Sequence, residues 1–177
     1  MTDQPTIDQP DTDQLDGLLA ANRRYADVFA LQGLAARAAK GVCVVTCMDS
    51  RIEPLAALGL VPGDAKILRN AGGRMTADVL RSLVLATTYL GITAVAVMHH
   101  TDCAMTKLDD GTIRSDLSPS QRAGTLGWEF LTMADPDAAL AADVAAVRSC
   151  TGLPDGLAVV GWRYDVATGA VRQVVDP

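Results

Sequence analysis

Val42-Cys43-Val44-Val45-Thr46 runs straight into Cys47-Met48-Asp49-Ser50-Arg51. The run is short, β-branched and apolar on both faces, which predicts a strand in a parallel sheet covered on both sides. The residues after it put a thiol, a carboxylate and a guanidinium close together. Further on, Val95-Ala96-Val97-Met98 is a second such run, and it ends in His99-His100-Thr101-Asp102-Cys103. Each run reads as a buried strand that delivers metal-ligand side chains as it leaves the sheet. Parallel strands bring their C-terminal ends side by side, and ligands of open α/β sheets collect at that edge.

Working outward, residues 54–58 predict a short helix. Ser50-Arg51-Ile52-Glu53 has capping-box spacing, and Pro54 alternatively suits a first helical position with the start shifted later. Residues 65–69 predict a strand, and Asn70-Ala71-Gly72-Gly73 a loop whose glycines allow backbone conformations closed to other residues. A strong helix opens at Thr76 and ends at Gly91, and residues 92–99 form the third strand. Strand and helix alternating in short order mean a parallel sheet with right-handed crossovers. Toward the C-terminus, an alanine-rich helix over 136–147 is capped by Asp135. A strand covers 157–160, and a turn leads into an edge strand over 171–175. Residues 107–127 are polar and carry little pattern. Before the sheet, Leu18, Leu19, Tyr25, Val28, Phe29 and Leu31 recur near helical spacing, so 15–36 holds one helix or two. The fold class is α/β, a Rossmann-like sheet with a parallel core, flanking helices and a C-terminal edge strand.

The chain has 177 residues, of which 49% are hydrophobic. That length suits one domain with a substantial core. Residues 1–13 are Asp, Gln, Thr and Pro with almost nothing apolar, and read as a flexible acidic tail before a single domain over 14–177. The net charge is −6, and Asp3, Asp8, Asp11, Asp13 and Asp16 supply most of it. No basic face is available for nucleic acid. No apolar run is long enough to span a bilayer, and the polar N-terminus lacks signal-peptide character. A cytoplasmic protein with a small ligand is expected. In that reducing setting Cys43, Cys47, Cys103 and Cys150 are better explained by metal binding or burial than by disulfides.

Zinc takes four ligands from Cys, His and carboxylate. Cys47, His100 and Cys103 supply two thiolates and an imidazole, which cancel the ion's charge. Three protein ligands leave one position open, the pattern of a catalytic zinc. Asp49 could fill it and close the site. Arg51 offers a bidentate partner for the carboxylate once released. A water on zinc could then lose a proton and act as a nucleophile. Two thiolates make a weaker Lewis acid than three imidazoles, so activity is expected to rise toward alkaline pH. Cys43 and Cys150 read as small buried hydrophobes. His99 points to the opposite strand face from His100 and reads as structural. The 70–73 loop is either a tight turn or a source of backbone N–H groups for an oxyanion.

These stretches resemble a β-class carbonic anhydrase. The resemblance runs through Asn22-Arg23-Arg24-Tyr25-Ala26, Cys47-Met48-Asp49-Ser50-Arg51, Arg69-Asn70-Ala71-Gly72-Gly73 and Asp78-Val79-Leu80-Arg81-Ser82-Leu83. It continues in His100-Thr101-Asp102-Cys103 and Tyr164-Asp165-Val166-Ala167-Thr168-Gly169. It implies zinc (Zn2+) on Cys47, His100 and Cys103, a catalytic dyad of Asp49 and Arg51, and Asp49 as a metal ligand in a closed form. Gly73 matches the position of a backbone contact to bicarbonate. The implied reaction is reversible hydration of carbon dioxide by zinc-bound hydroxide. The implied assembly is a homodimer or dimer of dimers with the active site at the subunit interface. The compact bacterial branch with the same His-His-Thr-Asp-Cys form includes carbonyl sulfide hydrolases, so that activity is the alternative. Residues that would distinguish the two are expected in the pocket wall, among Met105, Leu108, Trp128 and Phe130.

Overall fold

The computed structural model describes residues 12–177. They fall into two compact units, 12–34 and 35–177. The expected tail therefore lies outside the described residues, apart from Thr12 and Asp13, which open the first helix. That helix, α1, spans Thr12–Asp27. It is one helix and shorter than the 15–36 expected. Val28 and Phe29 donate to the carbonyls of Tyr25 and Ala26 three residues back, which tightens the last turn and ends it.

The second unit alternates strand and helix. Its elements are β1 (Val42–Cys47), α2 (Pro54–Ala57), β2 (Ala65–Asn70), α3 (Ala77–Tyr89) and β3 (Ala94–His100). They are followed by α4 (Asp110–Asp116), α5 (Pro119–Gly124), α6 (Pro136–Arg148), β4 (Ala158–Tyr164) and β5 (Val171–Val175). The strands form a single sheet in the order β2-β1-β3-β4-β5. All neighbours are parallel except β5, which pairs antiparallel to β4 at one edge. This is the α/β architecture expected.

Side-chain alternation along β1 and β3 builds two cores. Cys43, Val45, Val95 and Val97 pack on one face with Val79, Leu83 and Ala86 of α3 and Leu140, Val144 and Val147 of α6. Val44, Ala96 and Met98 pack on the other with Ile52, Met133 and Tyr164. Each fully buried Val or Leu contributes about 1.5–3 kcal/mol relative to exposure, so the two central strands anchor the sheet. The helices begin where local chemistry permits. Thr76 accepts from the Val79 N–H, and Asp135 from those of Asp137 and Ala138. The capping box expected at Ser50 does not form. Glu53 holds the cap position and Pro54, with no N–H to satisfy, begins α2. Residues 107–127, unreadable by periodicity, hold α4, capped by Asp109, and α5, capped by a Ser118–Gln121 box.

The chain visits β2 on one side of β1 and then returns to place β3 on the other. The strand order thus reverses between β1 and β3, and the crevice at their C-terminal ends is where open sheets bind ligands. Cys47 is the last residue of β1 and His100 the last of β3.

Candidate metal centre

Three loops leave the sheet at this crevice, and each is tied down by backbone bonds. After Cys47, the Met48 N–H still pairs with the Asn70 carbonyl at 2.9 Å. The chain then turns, with Ile52 N–H donating to the Asp49 carbonyl at 3.1 Å and the Ile52 side chain buried. Arg69 of β2 reaches over the turn and donates to the carbonyls of Cys47 (3.0 Å) and Asp49 (2.7 Å). After β2, the Asn70 side chain closes the next loop from both sides. It accepts from Arg74 N–H and donates to the Arg74 carbonyl, each at 2.8 Å. Gly72 and Gly73 inside it have φ of 76° and 70°. A Cβ on Gly73 would lie 2.9 Å from the Thr46 carbonyl carbon, so only glycine lets this loop rest on the end of β1. After β3, Thr101 N–H donates to the Tyr164 carbonyl and Val166 N–H to Thr101 Oγ1, which docks the turn on the end of β4.

These loops bring Cys47, His100 and Cys103 together, all buried, with their ligand atoms within 4.8 Å of one another. His100 Nδ1 donates to its neighbour's carbonyl, that of Thr101, at 2.8 Å. That bond fixes the tautomer and leaves Nε2 a bare acceptor. Nε2 is buried and has no hydrogen-bond partner, which is costly unless something else fills the site. The neighbouring Cys103 side chain pulls the Cys47 thiol down, against the opposing effect of burial. The backbone of Asp49 and Gly72 adds to this. Cys103, buried beside the Cys47 sulfur, is pushed up in return. Two buried sulfurs and a bare imidazole nitrogen suit a soft or borderline dication such as zinc, whose binding would release the thiol protons.

Asp49 lies outside this cluster. Its Oδ2 is 3.9 Å from His100 Nε2, and the carboxylate is held by Arg51. Arg51 Nε donates to Oδ1 at 3.0 Å, Nη2 to Oδ2 at 2.7 Å, and the Arg51 N–H to Oδ1 at 2.9 Å. The side-chain bonds from Arg51, then its N–H, hold the Asp49 carboxyl well below the usual carboxylate range. The Asp49 carboxylate therefore faces Arg51 in this structure and not the Cys47–His100–Cys103 cluster.

A family model described as carbonic anhydrase matches residues 42–123. β-Carbonic anhydrase 1 of Mycobacterium tuberculosis is 29% identical over 160 residues, covering 90% of this chain and 96% of that one. A crystal structure of carbonic anhydrase from Streptococcus mutans superposes with a TM-score of 0.85 at 38% identity, covering 90% of this chain and 96% of that one. The chain belongs to the β-carbonic anhydrase family. Carbon disulfide hydrolases are also among its relatives. That of Acidianus sp. is 30% identical over 172 residues, covering 81% of this chain and 84% of that protein.

Within this β-carbonic anhydrase fold, His99 turns to the opposite face from His100, as its strand position requires. It is buried, with Nε2 3.0 Å from Asp143 Oδ2. Asp143, from α6, also takes Arg74 Nε (2.7 Å) and the Met75 N–H (3.1 Å). Burial raises the Asp143 carboxyl, but the adjacent His99 ring and the bonds from Arg74 and Met75 outweigh it and hold it low. This link between α6 and the glycine loop carries no sequence signal, because its members are far apart in the chain. Cys43 is fully buried, and burial pushes its thiol up to about 12 against the opposing charge of Lys66. Cys150 is half-exposed rather than buried. Of the expected pocket-wall residues, only Met105 packs with Cys47 and Cys103. Leu108 and Trp128 are exposed, and Phe130 lies under the Arg114 guanidinium at 5.1 Å.

Proposed function

We propose that this chain is a zinc enzyme catalysing reversible hydration of carbon dioxide to bicarbonate and a proton. The observation that carries the reading is the Cys47–His100–Cys103 cluster with a bare buried His100 Nε2, flanked by the Asp49–Arg51 pair. Zinc held by those three residues would supply a Lewis acid that generates a nucleophile from water near neutral pH. Asp49, kept ionised by Arg51, accepts a hydrogen bond or proton from the attacking water. Arg51 fixes the plane of that carboxylate through its two-pronged contact. Gly73 offers a backbone contact for the product oxyanion, supported by its close packing on the end of β1. The four cysteines are free, which supports a reducing, cytoplasmic setting. The assembly we assign is a homodimer or dimer of dimers with the active site at the subunit interface. Supporting this, α1 leaves Leu15, Leu18 and Leu19 exposed within its own unit.

The carbon disulfide hydrolase relatives favour a second reading, hydrolysis of a linear sulfur-containing analogue such as carbonyl sulfide. The residues have the same roles on either substrate. Stopped-flow carbon dioxide hydration, run beside hydrogen sulfide release from carbonyl sulfide and carbon disulfide on one zinc-loaded preparation, separates the two. Turnover no greater than that of the chelated protein on all three substrates would refute both.

A further inference from the structure

Asp102 lies in the turn between His100 and Cys103, and neither the metal nor the dyad assigns it a role. Its backbone φ is 56°, a left-handed conformation that Asp and Asn accept more readily than most residues. That conformation faces it toward Arg51. Asp102 Oδ2 accepts from Arg51 Nη1 at 2.8 Å, and the Asp102 carbonyl accepts from Nη2 at 3.1 Å. Lys107 Nζ donates to the other carboxylate oxygen, Oδ1. The Nε and Nη2 edge of the same guanidinium holds Asp49. All three guanidinium nitrogens are therefore engaged, and every side-chain bond that Arg51 makes goes to Asp49 or Asp102.

A guanidinium is planar and rigid, so acceptors on two edges fix both its plane and its position. The Arg51 side chain is 45% exposed. At that exposure a lone ion pair holds a long side chain weakly. The second acceptor comes from a different strand end, and it links the β3 turn directly to the β1 turn. Lys107 orients the carboxylate that makes this link.

We propose that Asp102 is a positioning residue. It pins Arg51 from the far side so that Asp49 stays paired with Arg51 and turned away from Cys47, His100 and Cys103. The proposal rests on the zinc-enzyme reading for its consequence in rate, but not for its structural consequence.

The test compares zinc-loaded wild type, Asp102→Gly and Asp102→Asn by crystal structure, zinc content, kcat and KM. Glycine keeps the left-handed turn and removes the carboxylate. Asparagine keeps the turn and leaves one side-chain acceptor for Nη1. In Asp102→Gly, zinc content is expected to hold while Asp49 leaves Arg51 for the metal. Its kcat should fall roughly 10- to 100-fold with KM little changed, the effect of a misplaced catalytic group. Asp102→Asn should recover most of that loss. Asp49 still paired with Arg51 in Asp102→Gly, with kcat unchanged, overturns the proposal. If Asp102→Gly does not fold, Lys107→Met reads the same link from outside the turn. A lowered kcat with zinc retained supports pinning, and an unmoved Arg51 with unchanged kcat overturns it. A wild type without turnover defeats the enzyme reading alone, because the position of Asp49 in the crystals still decides the pinning.

Discussion

Gly73 rests directly on the backbone of Cys47: a Cβ at Gly73 would lie 3.0 Å from the Cys47 nitrogen. The contact sets how closely the glycine loop rests on the strand end that carries Cys47. Gly73→Ala combines that clash with a left-handed φ that costs an L-residue about 1–2 kcal/mol. The expected result is a less stable protein with reduced zinc content, measured by urea denaturation and metal analysis. A variant with wild-type stability and full zinc would mean that the loop can rise without disturbing β1.

Asp49→Ala removes the carboxylate that Arg51 holds. Because Asp49 lies outside the Cys47–His100–Cys103 cluster, zinc should be retained while kcat falls by about 100-fold or more. Metal content and stopped-flow kinetics on the same sample check this. Loss of zinc instead would make Asp49 a structural ligand.

Chelation should leave Cys47, His100 and Cys103 buried without a common partner, and so lower the melting temperature. Restoring zinc at 100 times its dissociation constant stabilises by about 2.7 kcal/mol. For a chain of this length that is a rise of roughly 5–10 °C. Cys103→Ala should show no such rise. A melting temperature indifferent to zinc in the wild type would rule out the cluster as a metal site.

Acid should weaken the fold partly through Asp143. Its folded carboxyl is held below the ordinary value, so it contributes stability above the unfolded pKa of about 3.9. That contribution is lost as pH falls below this value. Asp143→Asn should therefore flatten the acid limb of stability against pH. Asp143→Ala, which leaves the half-buried Arg74 without its carboxylate partner, should lower stability at neutral pH. Denaturant midpoints measured from acid to neutral pH test both, and parallel acid limbs for wild type and Asp143→Asn would exclude the assignment.

Activity should rise toward alkaline pH, because two thiolates make zinc a weaker Lewis acid than imidazoles do. A rate profile that is flat between about pH 6 and 9 would count against a site that closes through Asp49.

Much of the fold was legible because burial on both faces leaves a mark in sequence. Residues 42–45 and 95–98 are apolar at every position, as a strand covered on both faces requires. The cluster of Cys47, His100 and Cys103 was legible for a related reason: these residues sit at or just after the ends of the two strands. The short helices α4 and α5 were not, because six or seven residues carry too little periodicity to register. Their caps, Asp109 with Thr112 and Ser118 with Gln121, were the available signal. Ser50 misled because its capping-box spacing coincided with a turn. The start of the helix was set instead by Pro54, a position also open on the sequence.

The sequence by itself determined the parallel core, the three candidate ligands and the pairing of Asp49 with Arg51, because each depends on residue type and near-neighbour spacing. Tertiary structure alone decided that Asp143 ties His99 to Arg74, that Gly73 must lack a side chain to meet Cys47, and that Asp102 takes the second edge of Arg51. Each of these joins segments that only the strand order β2-β1-β3-β4 brings together. Contacts between distant segments obey no local periodicity, so no pattern along the chain announces them.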